Sequence, residues 1–374
     1  MANYSLNKDT YIKARIGWQG LTTSEYLDYG DYYLVTGTDI KNGVLDFSSC
    51  VFVSKGRFDQ DPHIQLKKGD VLITKDGTIG KVAYVDLLPL PATLNSGVFV
   101  IRCDNSKITQ KYFYYVLKSK LFKNFIDQTS AGSTIVHLYQ KDIVKFNFEI
   151  PDSLQVQKKC VAVMESIDNT IESVDNLITK KRNMFQGILT TLFEKHQTTL
   201  IGNMCDVKRG SVLTKSQCVD GGVPVVAGGK RPAYFHNTSN RTSPVITISA
   251  SGANAGFVNY YDVPIFASDC STIESSSDYD IKFIYYCLLY KQKLLYKTQT
   301  GGAQPHVHPK DIKGIMIPDL KIDEQKRCSV LLDSFANEIE SLENKKQKLI
   351  NIREGLLNGL FTGTVDVPTD CKEV

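Results

Sequence analysis

This chain has little of what usually announces chemistry. It carries no Gly-x-x-x-x-Gly-Lys-[Ser/Thr] phosphate loop, no Gly-x-Gly-x-x-Gly turn after a strand, no Gly-x-Ser-x-Gly elbow and no Asn-Pro-Pro-Tyr-like motif. Those absences remove the commonest nucleotide-binding, acyl-transfer and amino-methylating machineries. A nuclease pattern can be forced from Pro318-Asp319 and Glu324-Gln325-Lys326, but its halves are too close together and sit at a helix start instead of on adjacent strands. The nine cysteines are scattered, odd in number and never in a Cys-x-x-Cys pair. That excludes a disulfide scaffold or structural zinc as the first expectation and points to a reducing, cytoplasmic setting. No apolar run approaches ~18 residues, and Met1-Ala2-Asn3-Tyr4-Ser5 lacks the charged-then-apolar pattern of a secretory signal. No membrane, metal or cofactor is expected.

What is present is an ordinary globular composition, 42% hydrophobic and 22% charged, with a net charge of only +4. So mild a balance permits a nucleic-acid partner without arguing for one. At 374 residues, the chain has room for two domains of roughly 100–200 residues each. It also repeats itself. Gly132-Ser133-Thr134-Ile135-Val136-His137, closed by Lys141-Asp142-Ile143, recurs about 169 residues later as Gly301-Gly302-Ala303-Gln304-Pro305-His306, closed by Lys310-Asp311-Ile312. Lys111-Tyr112-Phe113-Tyr114-Tyr115 is echoed by Lys282-Phe283-Ile284-Tyr285-Tyr286, and Gln157-Lys158-Lys159-Cys160 by Gln325-Lys326-Arg327-Cys328. Matches in one order along the whole chain mean a duplication.

Each copy joins two parts of different period. The first is β-rich, with short β-branched runs at 31–36, 69–74, 80–85 and 97–102, and in the second copy at 223–226, 244–248 and 256–260. Glycine, proline and aspartate bound these runs as strand ends require. A short helix is expected around 111–125, and another around 280–296. The second part is helical. Ile167, Ile171, Val174, Ile178, Ile188 and Leu192 fall on a stripe whose steps alternate between three and four residues. Phe335, Ile339, Leu342, Leu349, Leu356 and Leu360 form its counterpart, interrupted by Lys346 and Arg353, whose stems are expected to snorkel. Heptad spacing of this kind makes a coiled-coil seam, and a helix of about 40 residues spans ~60 Å, longer than a compact domain is wide. Mutual pairing of the two helices is therefore expected over separate packing of each on its own domain. The fold class is α+β, two repeated β-rich domains separated by two long paired helices. The expected boundaries are 1–151, 152–196, 197–318 and 319–362, with a tail at 363–374.

Polar loops supply the candidate contacts. Lys75, Thr78 and Lys81 belong to a Gly-rich tip between two strands, matched by Ser251 and Asn254 in the second copy. Glycines let a backbone approach another molecule, and these side chains suit phosphates and base edges; a plain hairpin turn fits as well. Lys13, Arg15, Trp18 and Gln19 cluster near the start, with Arg209 and Ser211 in the equivalent place, and Lys230, Arg231 and Tyr234 form a further basic-aromatic group. Such clusters contact nucleic acid or simply face solvent. The loops holding Ser133, Thr134 and His137, and Gln304 and His306, are either contact loops or turns whose histidine bonds its own domain.

With these stretches in view, a resemblance is plain. Lys13-Ala14-Arg15-Ile16-Gly17-Trp18-Gln19-Gly20-Leu21-Thr22, the run from Gly69 to Gly80, and Ile246-Thr247-Ile248-Ser249-Ala250-Ser251-Gly252 resemble the target recognition domains of type I restriction–modification specificity subunits. The stretches Gly187-Ile188-Leu189 to Leu192-Phe193 and Gly355-Leu356-Leu357 to Gly363 resemble that family's helical spacers. The resemblance covers nearly the whole chain. It implies a non-catalytic subunit that reads a split DNA target with two domains held by an antiparallel coiled coil. It also implies two adenine-N6 methyltransferase subunits seated on the helices, with restriction subunits joining through them. The two domains have unlike loops, so the target is expected to be asymmetric. Only about ten residues precede Lys13, so the first domain's N-terminal element is expected to be short or missing. Two other classes compete: a stand-alone divergent DNA methyltransferase or nuclease, and a coiled-coil adaptor that binds protein only.

Overall fold

The computed structural model describes residues 1–6, 10–130, 137–300 and 305–365. The chain divides into two compact units, one formed by Met1–Ser173 together with the segment from Gln347 onward, the other by Val174–Lys346.

In the first unit an antiparallel sheet runs in the order Tyr11–Lys13, Val98–Arg102, Val71–Thr74, Val82–Tyr84. Its central strands are apolar throughout because both faces are covered, and the period of two decides which residue goes where. Val71, Ile73, Phe99 and Ile101 face a core shared with Tyr112 and Phe113, whereas Leu72, Val98 and Val100 face a second core with Val35, Ala92 and Leu94. A smaller sheet centres on Tyr33–Val35, antiparallel to Val51–Phe52 and parallel to Ala92–Leu94. Ala2–Ser5 pairs with Asn147–Ile150, so the short N-terminal element is a strand that closes the domain.

The second unit repeats this strand for strand. Lys208–Arg209, Cys270–Glu274, Val245–Ser249 and Val258–Tyr261 form the four-stranded sheet. Val223–Val226 lies between antiparallel Tyr234–His236 and parallel Phe266–Ala267, and Thr198–Leu200 pairs with Met316–Pro318. The first unit adds a hairpin, Ile40–Lys41 with Val44–Leu45, that has no counterpart among the described residues of the second. Its two-residue turn places Asn42 and Gly43 at φ 52° and 90°, the left-handed region that Asn-Gly hairpin turns occupy.

The helix expected around 111–125 is two helices, Gln110–Lys118 and Lys120–Ser130. The break falls at Ser119, whose hydroxyl donates to the Val116 carbonyl at 2.7 Å and accepts from the Leu121 N–H at 3.3 Å. A serine bonding local backbone competes with the helix ladder. In the second unit Ile281–Tyr290 and Gln292–Lys297 are likewise two helices, divided at Lys291.

The two long helices span Leu154–Lys195 and Ile322–Phe361, and they pack together in each unit. In the first, Cys160, Met164 and Ile167 share a core with Leu356, Leu357, Leu360 and Phe361. In the second, Phe185, Ile188, Leu189 and Leu192 meet Leu332 and Ala336. Ion pairs mark the direction. Arg353 meets Asp168 in the first unit, and Asp175–Lys346 at 2.5 Å, Lys181–Glu338 and Arg182–Glu343 at 2.5 Å follow in the second. From Asp175–Lys346 to Lys181–Glu338 one number climbs by six as the other falls by eight, so the helices are antiparallel. Val174, Ile178 and Leu360 are buried, and the other expected seam residues, Ile167, Ile171, Ile188, Leu192, Phe335, Ile339, Leu342, Leu349 and Leu356, are buried in part. Two details differ from the sequence reading. Lys346 and Arg353 do not merely snorkel; each finds a carboxylate on the facing helix. Helix pairing and packing on the domain are not alternatives either, because the helix ends also lie on the domain cores: the Phe361 ring lies tilted against Tyr112 and Tyr115, and Phe185 meets Tyr286 edge-on.

Candidate nucleic-acid interface

Backbone hydrogen bonds gather four loops at one end of the first domain. The Thr74–Gly80 turn needs Gly77 and Gly80 at φ 69° and 78°. Its Thr74 hydroxyl donates to the Thr78 carbonyl at 2.5 Å and accepts from the Lys81 N–H at 2.9 Å, which fixes the turn from inside. Lys75 donates its N–H to Gly97 and accepts at its carbonyl from Leu138, both at 2.9 Å. That second bond brings His137 alongside, and its Nδ1 lies 2.7 Å from the Asp76 carboxylate. The fourth loop is the Gly17–Gln19 turn, tied to the same place by Asn95, whose amide accepts from Leu21 N–H at 3.2 Å and donates to the Tyr26 hydroxyl at 2.9 Å.

The second domain uses the same frame. Ala250 donates its N–H to the Asp269 carbonyl at 3.1 Å and accepts from Val307 at 3.0 Å, which brings His306 alongside. Gly252 and Gly256 take φ 78° and 86°. Ser211 donates its N–H to Ala267 at 2.9 Å, and Leu213 to the Ser268 hydroxyl at 3.1 Å. The side chains differ. Where the first tip has Asp76 against His137, the second has the Ser251 hydroxyl donating to Asp269.

The candidates separate clearly on this frame. Trp18 is 80% exposed at its turn, and Lys13, Thr78, His137, Arg209, Ser211, Lys230 and Arg231 are exposed as well. Gln19, Lys75, Ser251, Asn254 and His306 are half-buried within the loop cluster. Lys81 turns to a cavity behind the loop, and Tyr234 spends its hydroxyl on the Leu213 carbonyl at 3.1 Å. Ser133, Thr134 and Gln304 lie outside the described residues. Arg15 requires correction. Only 1% exposed, it donates to the Leu94 and Arg57 carbonyls at 2.8 and 3.4 Å, to Gln60 at 3.1 Å and to the Thr93 hydroxyl at 3.1 Å. A guanidinium so enclosed braces the loops and does not reach a ligand. Arg57 continues the brace to Glu25, whose carboxyl is held below its ordinary range first by the Thr22 N–H and then by Arg57. Burial pushes the thiols of Cys50, Cys103, Cys205 and Cys270 up to about 12, so these cysteines pack as apolar residues.

Sequence reasoning missed how each domain is mounted on its helix. Gln157, 0% exposed, donates to the Lys107 and Pro151 carbonyls at 2.9 and 3.1 Å and accepts from Thr109 N–H at 3.0 Å. Gln325, 1% exposed, donates to Leu320 at 2.9 Å and accepts from Asp280 N–H at 2.8 Å. Beside them, Lys111 meets Glu165 and Lys282 meets Asp333, both at 2.5 Å. Each lysine also lies over a tyrosine ring, Tyr84 at 4.9 Å and Tyr260 at 5.7 Å from the centre. The signal was present as recurring Gln-Lys-Lys/Arg-Cys and Lys-aromatic runs, but only the fold shows that they meet.

Among the described residues no group of three or more His, Cys, Asp or Glu is placed to hold a metal, and no helix is long and apolar enough to cross a membrane. Duplicated modules with loops gathered at one end, mounted on paired helices, define a recognition subunit. The description of the family whose model matches is type I restriction modification DNA specificity domain, and the match occurs twice, over residues 19–180 and 194–351. The chain belongs to this family, whose members recognise DNA and are not themselves catalysts. It is similar to a type I restriction enzyme specificity subunit of Methanocaldococcus jannaschii, 20% identical over 94% of this chain and 91% of that one. A type I specificity subunit of Mycoplasma pneumoniae is 26% identical over 43% of this chain and 44% of its own. Among solved structures, the S subunit of a type I restriction–modification system from M. genitalium matches with a TM-score of 0.67 at 18% identity, over 98% of this chain and 96% of that one. A chain from a structure of type I complex assembly and conformational transition gives 0.56 at 17% identity, over 97% and 100%. At such identities the structural likeness establishes the fold.

Proposed function

We propose that this subunit reads a bipartite, asymmetric DNA target, one half-site per domain, and acts in the cytoplasm without a cofactor of its own. Its paired helices seat two adenine-N6 methyltransferase subunits, through which restriction subunits join the complex. The boundaries of the reading domains are 1–151 and 197–318, with the helical spacers at 152–196 and 319–362. Lys13, Lys75, Arg209, Lys230 and Arg231 contact phosphates, while Trp18, Gln19, Thr78, His137, Ser211, Ser251, Asn254 and His306 face bases and sugars. Ser133, Thr134 and Gln304 belong by sequence to the same loops. Any base flipped for methylation enters a pocket of the partner.

One observation carries the reading: the same backbone bonds assemble the loops in both domains, yet Lys75-Asp76 in one is Ala250-Ser251 in the other. A shared frame with unlike side chains suits two unlike sequences. The test replaces residues 1–151 with the recognition domain of another family member and maps methylated adenines in cells carrying the partner subunits. One half of the target should change while the other stays. A change in both halves, or in neither, would defeat the assignment.

A further inference from the structure

The first unit contains a cavity that the loop cluster does not use. It has a volume of about 770 Å³ and opens between the 40–45 hairpin, residues 80–82 and the consecutive helices Gln110–Lys118 and Lys120–Ser130. Four ammonium groups line it, Lys41, Lys81, Lys118 and Lys123, with one carboxylate, Asp127. Ile79 and Ile126 supply an apolar wall, backed by the buried Phe122. Lys41 is engaged by Asp46 at 2.6 Å, and Lys81 reaches the Gly37 carbonyl at 3.4 Å. Lys118 and Lys123 have no carboxylate within ion-pair distance among the described residues.

Lys118 is the informative member. Its ammonium donates to the Tyr114 hydroxyl at 3.0 Å and lies 4.9 Å from the centre of that ring, while the hydroxyl donates to the Gly43 carbonyl at 3.1 Å. A Cβ at Gly43 would come within 2.9 Å of the Lys118 nitrogen, so the hairpin glycine makes room for the amine. Burial first, then nearby Arg353, push the ammonium down to about 8, with Asp168 opposing. The duplication provides a control. Tyr114 packs on Tyr84 as Tyr285 packs on Tyr260, which sets the register of the two helices and places Leu289 where the first unit has Lys118. The fold accepts leucine there and needs no charge. Desolvating an ammonium destabilises, so a half-buried Lys118 with a hydroxyl and a ring but, among the described residues, no carboxylate for partners points to a binding role.

We propose that this cavity binds an organic phosphate carrying a flat apolar group, of which a nucleoside diphosphate is the simplest example. Lys118 and Lys123 hold the phosphates, Lys81 assists, and the base lies against Ile79 and Ile126. A Cβ on Gly80 would sit 3.4 Å from Ile126, so the apolar wall of the cavity adjoins the root of the Thr74–Gly80 turn. The same chemistry comes from a free nucleotide or from a phosphate–base unit of a DNA strand. The site rests on its own residues and does not require the loops to be DNA contacts.

Calorimetric titration of the full-length chain with ADP, pyrophosphate and adenosine tests this. ADP should bind more tightly than pyrophosphate, and adenosine least. Lys118→Leu, copying Leu289, should weaken ADP about tenfold or more, and Lys123→Gln, at an exposed position that the fold does not use, by roughly three- to tenfold. Thermal unfolding of both variants confirms that they fold. Displacement of ADP by non-target duplex, together with weaker duplex binding by Lys118→Leu, identifies the strand as the source; ADP binding indifferent to duplex identifies the free nucleotide. ADP affinity unaltered by both substitutions overturns the site. So does absence of ADP binding combined with equal duplex affinity in wild type and Lys118→Leu.

Discussion

Single residues in this chain divide into those that hold the frame and those that the frame presents. Arg15 and Trp18 stand three positions apart and read alike in the sequence, as a cation and an aromatic near a turn. One is enclosed by four hydrogen bonds and the other is bare. Burial is decided by strands far away in the chain, Ala92–Leu94 above all, so no local pattern could separate them. Gln157 and Gln325 show the same limit from the other side. Each satisfies buried backbone groups at the place where a domain meets its helix. Leucine fits the volume but leaves those groups unpaired, so Gln157→Leu and Gln325→Leu should each destabilise their own unit by about 2–4 kcal/mol. Urea unfolding followed by hydrogen exchange measures this. Loss of protection confined to the mutated unit is the expected pattern, and an unchanged midpoint would show that water replaces the amide without penalty.

At the scale of elements, strands were legible in proportion to their length and burial. Val71–Thr74, Val98–Arg102 and Val245–Ser249 announce themselves as β-branched runs, whereas Lys208–Arg209 and Phe266–Ala267 are too short to show any alternation. The long helices were legible because a seam repeats many times. Their charged interruptions were misread, since only an antiparallel partner reveals that Lys346 faces Asp175 and Arg353 faces Asp168. Ile178 is buried at 3% exposure, so Ile178→Asp places a carboxylate in the seam without a matched cation and should cost about 3 kcal/mol or more. Calorimetric unfolding should show the loss in the unit that contains it, and co-purification with the methyltransferase subunits should fall. A variant that melts like the wild type and still assembles would remove the seam from the account.

For the molecule as a whole, the net charge is a modest +4, so salt dependence rests on the cations of the proposed contact loops. Five of them, Lys13, Lys75, Arg209, Lys230 and Arg231, are assigned to phosphates in the proposed function. Each phosphate neutralised releases counterions, so affinity for target duplex should fall roughly 10²–10³-fold between about 50 and 200 mM salt. Fluorescence anisotropy across that range reads the slope directly. A flat response would favour a protein-only adaptor. Replacing Lys75 and Lys230 with glutamine should reduce the slope by about two contacts and leave the preferred sequence unchanged.

The duplicated mounts carry an evolutionary consequence. Glutamine, lysine and acid recur at matching places in both halves, so a genetic crossover between the halves would exchange loop clusters while the glutamine and lysine anchors found their usual mates. If each domain reads its own half-site, as proposed, new combinations become reachable in one recombination event.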